Sequence, residues 1–200
     1  MSGIDFRNGD ANTSLHDKWS GKEHNRNNAM IHSGTLMRKI LIPVFLLLLL
    51  GALAVMALNK NSAPDVKFVT ITGQEIGLKD LRGKIVLVNF WATTCSGCIA
   101  EMPMLIETYN RYHKQGFELV AVAMAYDPPS HVANYAKKNG LPFPVALDLK
   151  GEVAAAFNDV QLTPTAFVID KNGNIVRNVV GELDFKALHA MLDEQLGGKT

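Results

Sequence analysis

Cysteine is almost missing from this chain: Cys95 and Cys98 are the only two in 200 residues. Two are too few for a disulfide framework, so a purely structural role for them is the weaker reading. A charge imbalance is missing too. The formal net charge is +1, which gives no sign of nucleic-acid binding. The six histidines are scattered without metal-ligand spacing, so no metal site is expected among them. Charge is absent altogether from Ile40 to Leu58.

As a helix, that uncharged run would span roughly 28 Å at ~1.5 Å per residue, close to the hydrocarbon thickness of a bilayer. It has no polar face, so a core helix is a poor alternative. Arg38 and Lys39 precede it directly, with Lys22 and Arg26 further back, while Lys60 and Lys67 follow it. The positive-inside rule then puts the N-terminus in the cytoplasm and the rest outside. A retained anchor is the preferred reading, because the apolar run continues past the first candidate cleavage site. Cleavage after Ala52-Leu53-Ala54 or Val55-Met56-Ala57 is the alternative. Either way the globular part is exported, where disulfide chemistry is meaningful. Met1 to Lys39 is polar and rich in Asn, Gly, Ser and His, and disorder is expected there. In a second reading translation begins at Met37, since Met37-Arg38-Lys39 before an apolar run is how a signal or anchor sequence normally begins.

The stretch that organises the rest is Trp91 to Pro103, WATTCSGCIAEMP. Before it, Ile85 to Phe90 (IVLVNF) suits a strand buried on both faces. After it, Ile99, Met102, Ile106, Tyr109 and His113 recur at steps of three and four, which predicts a helix starting near Cys95. A sulfur at a helix N-terminus sits against unpaired amides and the positive end of the helix dipole. Both favour thiolate over thiol, so Cys95 becomes a usable nucleophile at neutral pH. Cys98 lies one turn on, close enough to form a disulfide with it.

With these residues the chain resembles the thioredoxin superfamily, and within it the membrane-anchored thiol-disulfide oxidoreductases of the TlpA/ResA type. The resemblance spans roughly Val66 to Leu196. Trp91 is at the place of the aromatic before the thioredoxin active site, and Pro103 at that of the proline that kinks its helix. Glu101 matches an acidic residue that ResA-like members carry near the dithiol. Thr163-Pro164 matches the Thr-cis-Pro loop that faces the cysteines. The resemblance therefore implies a catalytic set of Cys95, Cys98, Glu101 and Pro164, and a substrate-binding set of Trp91, Thr163 and Pro164; Trp91 reads equally as core packing at the edge of the site, with no chemical step of its own. There are departures as well. Asn89 stands where thioredoxins have a buried aspartate, so any proton relay must pass to Glu101 or water. Thr94 replaces the second tryptophan, and Ser96-Gly97 replaces Gly-Pro.

Along the rest of the chain, Asn59 to Asp65 reads as a linker. Phe68 to Ile71 and Glu75 to Gly77 read as a hairpin turning at Thr72-Gly73. Phe117 to Ala125 is a second apolar strand. Ser130 is a candidate N-cap for a helix that carries Val132, Tyr135 and Ala136 on one face and ends at Gly140. Leu141 to Asp148 reads as a turn and short strand, and Glu152 to Phe157 as a short helix. The 66 residues separating Cys98 from Pro164 leave room for the insertion that TlpA/ResA-like proteins carry. Thr165 to Asp170 and Ile175 to Val180 flank Lys171-Asn172-Gly173-Asn174, where Asn-Gly is expected to supply the positive φ angles of a tight turn. Asp184 caps a last helix with Phe185, Leu188, Met191, Leu192 and Leu196 along one stripe.

The expected fold class is α/β, thioredoxin-like over residues 66–200: a mixed central sheet with helices on both faces, an N-terminal hairpin and a central insertion, preceded by one transmembrane helix. The expected activity is thiol-disulfide exchange without metal or organic cofactor. Cys95 attacks a partner disulfide and Cys98 resolves the mixed disulfide. By resemblance the work is reduction of disulfides in exported proteins, for example in cytochrome c maturation. A membrane thiol reductant returns the electrons, and the site of action is the outer face of the cytoplasmic membrane. Two rivals stand beside this reading. One is a disulfide-forming oxidant on the same fold. The other is a Cu(I) chaperone, because Thr94-Cys95-Ser96-Gly97-Cys98 is similar to copper-carrying T-C-x-x-C loops; those domains usually have methionine where Thr93 stands. Glu101 is open between a solvated first-turn residue and a buried proton acceptor with a raised pKa. For Pro164, an ordinary loop proline is the alternative to the cis form. Zinc is disfavoured because no second Cys pair exists, and His113 reads as an ordinary, partly exposed residue.

Overall fold

The computed structural model describes residues 38–39, 41–51 and 61–197. The chain divides into two units, Met1–Leu58 and Asn59–Thr200. In the first, residues 41–51 are helical with exposed side chains. The rest of the predicted span, residues 40 and 52–58, lies outside the described residues, as does the polar stretch 1–37. Among the described residues no helix is long and apolar enough to cross a membrane.

The second unit is built on a five-stranded sheet in the order β5-β4-β3-β6-β7. β3 (Ile85–Trp91) is its central strand and β4 (Phe117–Ala123) its neighbour, and every residue of both is buried. That explains why both read as predominantly apolar runs, interrupted only by Asn89 and Glu118, rather than as alternation. β3 leads into α1 (Ser96–Tyr112), β4 into α2 (Pro129–Asn139), and β5 (Val145–Leu147) forms the edge. β3, β4 and β5 are parallel. Two right-handed crossovers that step the same way put α1 and α2 on the same face. α4 (Phe185–Leu196) joins them there: Leu105, Tyr112, Val132, Leu188 and Leu192 share one buried cluster with Leu87 and Trp91.

The opposite face has thinner cover. Antiparallel β1 (Lys67–Val69) and β2 (Glu75–Gly77), a 3-10 turn at Leu78–Leu81 and the short α3 (Glu152–Ala156) close it. Phe68, Leu78, Val153 and Phe157 pack there on Val88, Phe90 and Phe167. β6 (Thr165–Ile169) runs antiparallel to β3, and β7 (Ile175–Val180) antiparallel to β6. The sheet is therefore mixed and covered on both sides, as expected.

Two local expectations need correction. Ser130 does not cap α2. Pro128 occupies the cap position without a side-chain bond and Pro129 begins the helix, where a missing N–H costs nothing and the fixed φ already suits the helix. In the β6–β7 turn only Gly173 takes a positive φ, of 79°. The turn is held by Asp170 Oδ1, which accepts from the N–H groups of Asn172 and Asn174 at 2.9 and 2.8 Å, a side-chain substitute for backbone pairing. Asp184 caps α4 as expected, accepting from Ala187 N at 3.0 Å.

Both ends of the domain meet the β6–β7 turn. Ile175 N donates to Asn61 O at 2.7 Å and Ala63 N to Gly173 O at 2.9 Å. Lys171 Nζ donates to Gln195 O, near the end of α4, at 2.8 Å. Because β6 is antiparallel to β3, with Ile169 opposite Val86 and Thr165 opposite Phe90, this turn lies at the end of the sheet away from Cys95.

Candidate active site

Three loops converge where β3 ends. The first is the turn from Trp91 into α1. Cys95 is the N-cap of α1, and its Sγ accepts from Cys98 N at 3.2 Å. A disulfide joins Cys95 to Cys98, with Cα atoms 5.3 Å apart. Cys95 is half-buried while Cys98 has no exposed surface. An incoming sulfur can therefore reach only Cys95, and Cys98 is confined to exchange within the chain. That asymmetry is what attack by one cysteine and resolution by the other require.

The second loop is Thr163-Pro164, whose peptide bond is cis. Gly181 N donates to Pro164 O at 2.8 Å and ties the loop to the end of β7. It meets the dithiol turn at Gly97: a Cβ there would lie 3.6 Å from Pro164 Cδ and 3.4 Å from Glu182 Oε1. Thr163, Pro164 and both cysteines are thus brought together. Glu182 arrives with them from the turn before α4, a residue the sequence reading did not single out.

The third loop follows β4. Asp127 is buried, and its carboxylate accepts from Thr93 N at 2.6 Å and from Thr93 Oγ1 at 2.7 Å. This clamp fixes the approach to Cys95 from a position 34 residues away, a pairing no local pattern announces. Asp127→Ala is expected to lower stability by about 2 kcal/mol, since both Thr93 donors lose their acceptor. The measurement is the chemical-denaturation midpoint; an unchanged midpoint would mean the clamp is dispensable.

Glu101 is buried on the inner side of α1 beside Met102, which settles its position against the solvated alternative. Its Oε1 accepts from Leu183 N, and its Oε2 has no partner among the described residues. Burial pushes its carboxyl above the ordinary carboxylate range. The Leu183 N–H opposes that rise and the Glu182 carboxylate adds to it. Asn89 is also fully buried, on the α1 side of β3 between Ala121 and Ala166 of the neighbouring strands, and neither of its amide atoms has a partner among the described residues.

Of its two readings, core packing and substrate contact, Trp91 takes the first. Its ring is fully buried and packs on Tyr135 with centroids 5.3 Å apart. It serves the core and presents no surface to a substrate. His113 stacks on Tyr109 at the far end of α1, about 20 Å from Cys98 at ~1.5 Å per residue, so the two do not share a site. Among the described residues no three His, Cys, Asp or Glu side chains gather as a metal-ligand set.

Comparison with known proteins adds four findings. Residues 58–192 match the Redoxin family. The thiol-disulfide oxidoreductase ResA of Geobacillus kaustophilus is 41% identical over 123 residues, 62% of this chain and 70% of that protein. ResA of Bacillus subtilis is 35% identical over 70% of this chain and 77% of its own length. Among solved structures, a thiol:disulfide interchange protein of the thioredoxin family from Chlorobium tepidum superposes with a TM-score of 0.63 at 31% identity, covering 68% of this chain and 97% of that one.

Proposed function

Since the chain belongs to the Redoxin family and is a ResA-like protein thiol-disulfide oxidoreductase, we propose that it runs in the reducing direction on disulfides of exported proteins. The observation that carries this direction is a pair of acidic side chains at the dithiol turn: Glu101, buried one turn after Cys98 on the same face of α1, and Glu182, which lies against Gly97. Negative charge there disfavours the thiolates of the reduced form and leaves the neutral disulfide untouched. A dithiol whose reduced form is disfavoured gives electrons away; the strong oxidant DsbA owes its potential to the opposite arrangement.

The Cys95 thiolate attacks one sulfur of the partner disulfide, and the other leaves as a thiolate. Cys98 then loses its proton, with Glu101 as the proposed acceptor, and attacks Cys95 Sγ. This breaks the mixed disulfide, releases the second partner thiol and closes the Cys95-Cys98 bond. Two electrons pass to the partner. A membrane thiol reductant restores the dithiol. The uncharged run 40–58, with basic residues before it, supports tethering to the cytoplasmic membrane with the domain on its outer side. Apocytochromes fit as substrates because their cysteines must be reduced before haem attachment.

Equilibrating the protein in dithiothreitol or glutathione buffers tests the direction. A potential near or below about −230 mV, in the thioredoxin and glutaredoxin range, is expected. A value near −120 mV, close to that of DsbA, would make the protein an oxidant.

A further inference from the structure

The rim of this site carries neither of the aromatics that the family pattern places before and beside the dithiol. Thr94 stands before Cys95, and Trp91 is buried against Tyr135 of α2. One aromatic replaces them from another loop. Tyr126 is 58% exposed, and its hydroxyl lies 3.2 Å from Thr163 Oγ1, in the loop that meets the dithiol turn. The next residue, Asp127, is clamped to Thr93 on the cysteine side, and Asp127 N donates to Met124 O to close the turn between them. The Tyr126 ring is therefore held on a short arch between the Cys-x-x-Cys approach and the Thr163-Pro164 loop. Leu162, 66% exposed, and Val180, 62% exposed, lie at the same end of the sheet.

Exposed apolar side chains on a soluble surface are ordinary when scattered. Here three of the domain's few large ones share the end that bears Cys95, and one is an aromatic already ordered by a hydrogen bond. A tyrosine pre-set in this way offers a large apolar face with a wet tip, at little further cost in side-chain entropy when a partner covers it. We propose that Tyr126 is a specificity-determining residue: the polypeptide flanking the substrate's disulfide packs on its ring, with Leu162 continuing the surface, while the scissile sulfur meets Cys95. This rests on the reading that the substrate is a polypeptide disulfide. Small disulfides have no flanking chain and gain nothing from the ring.

The test compares two probes with the reduced full-length protein by stopped-flow tryptophan fluorescence. One is a twelve-residue peptide closed by a single disulfide, and the other is hydroxyethyl disulfide. Tyr126→Ala is expected to lower the second-order rate constant for the peptide about tenfold, the scale of one interface aromatic, and to slow hydroxyethyl disulfide less than twofold. Tyr126→Phe, which keeps the ring, should retain most of the peptide rate. Because Tyr126 is more than half exposed, alanine there removes no core packing, and an unchanged reduction potential would confirm that the dithiol itself is intact. Equal losses on both probes, or no loss on the peptide, would overturn the proposal. A wild-type protein that reduces hydroxyethyl disulfide but not the peptide would overturn the polypeptide-substrate reading itself.

Discussion

Cys95→Ser should bring disulfide reduction down by roughly a thousandfold or more, the scale on which loss of a covalent nucleophile acts. Cys98→Ser should behave differently. Its Cys95 thiolate still sits at the N-cap of α1 and still attacks, but no second sulfur within the chain can resolve the product. The expected result is a stable mixed disulfide with the partner, visible as a mass increase that dithiothreitol reverses. The asymmetry follows from exposure: Cys95 is half-buried and Cys98 wholly so. Trapping on Cys98 in the Cys95→Ser variant, at the wild-type rate, would reverse the two roles.

Glu101→Gln carries the second large effect. Gln keeps an oxygen for Leu183 N but cannot take a proton at neutral pH. If the carboxylate receives the Cys98 proton, resolution should slow about a hundredfold, within the range of a lost general base, while the first attack by Cys95 is unchanged. Single-turnover kinetics should show mixed disulfide accumulating before it decays. The wild-type rate should also rise with pH through the raised Glu101 pKa, a limb that disappears in the variant.

Stability supplies an independent readout. Burial raises the folded pKa of Glu101 above its ordinary value of 4.5, so the folded state binds the proton more tightly than the unfolded chain does. Stability is then highest below that ordinary value and falls as pH rises toward the folded pKa. Glu101→Gln removes this decline and should be the more stable protein at neutral pH, by on the order of 1 kcal/mol, the cost of a buried acceptor left unpaired. Parallel pH–stability curves for wild type and variant would show that Glu101 does not titrate in this window.

How far the chain could be read in advance depended on how local each signal was. β3 and α1 were legible because an apolar β-branched run followed by helical spacing is decided within twenty residues. The Asp184 cap and the β6–β7 hairpin were legible for the same reason. The inner face of α1 was read less well: Glu101 and Thr108 are buried with Cys98, Met102, Leu105 and Tyr112, so polar residues occupy part of the face that spacing alone assigns to apolar ones. The Ser130 cap and the substrate-contact reading of Trp91 gave way because capping and burial depend on neighbours that periodicity does not see. Asp127, Tyr126 and Glu182 act across 34 residues or more, through loops brought together only by the sheet order, and nothing near them in the sequence marks them.

The meeting of both domain ends at the β6–β7 turn has a practical consequence. β3 has seven residues, so the point where the chain enters the domain lies roughly 20 Å from the dithiol, and the end of α4 leaves from the same side. Whatever holds this domain by either end, whether a support, a dye or a second protein joined in frame, grips it by the heel. The sulfurs then lie at the opposite end of the sheet, clear of the attachment.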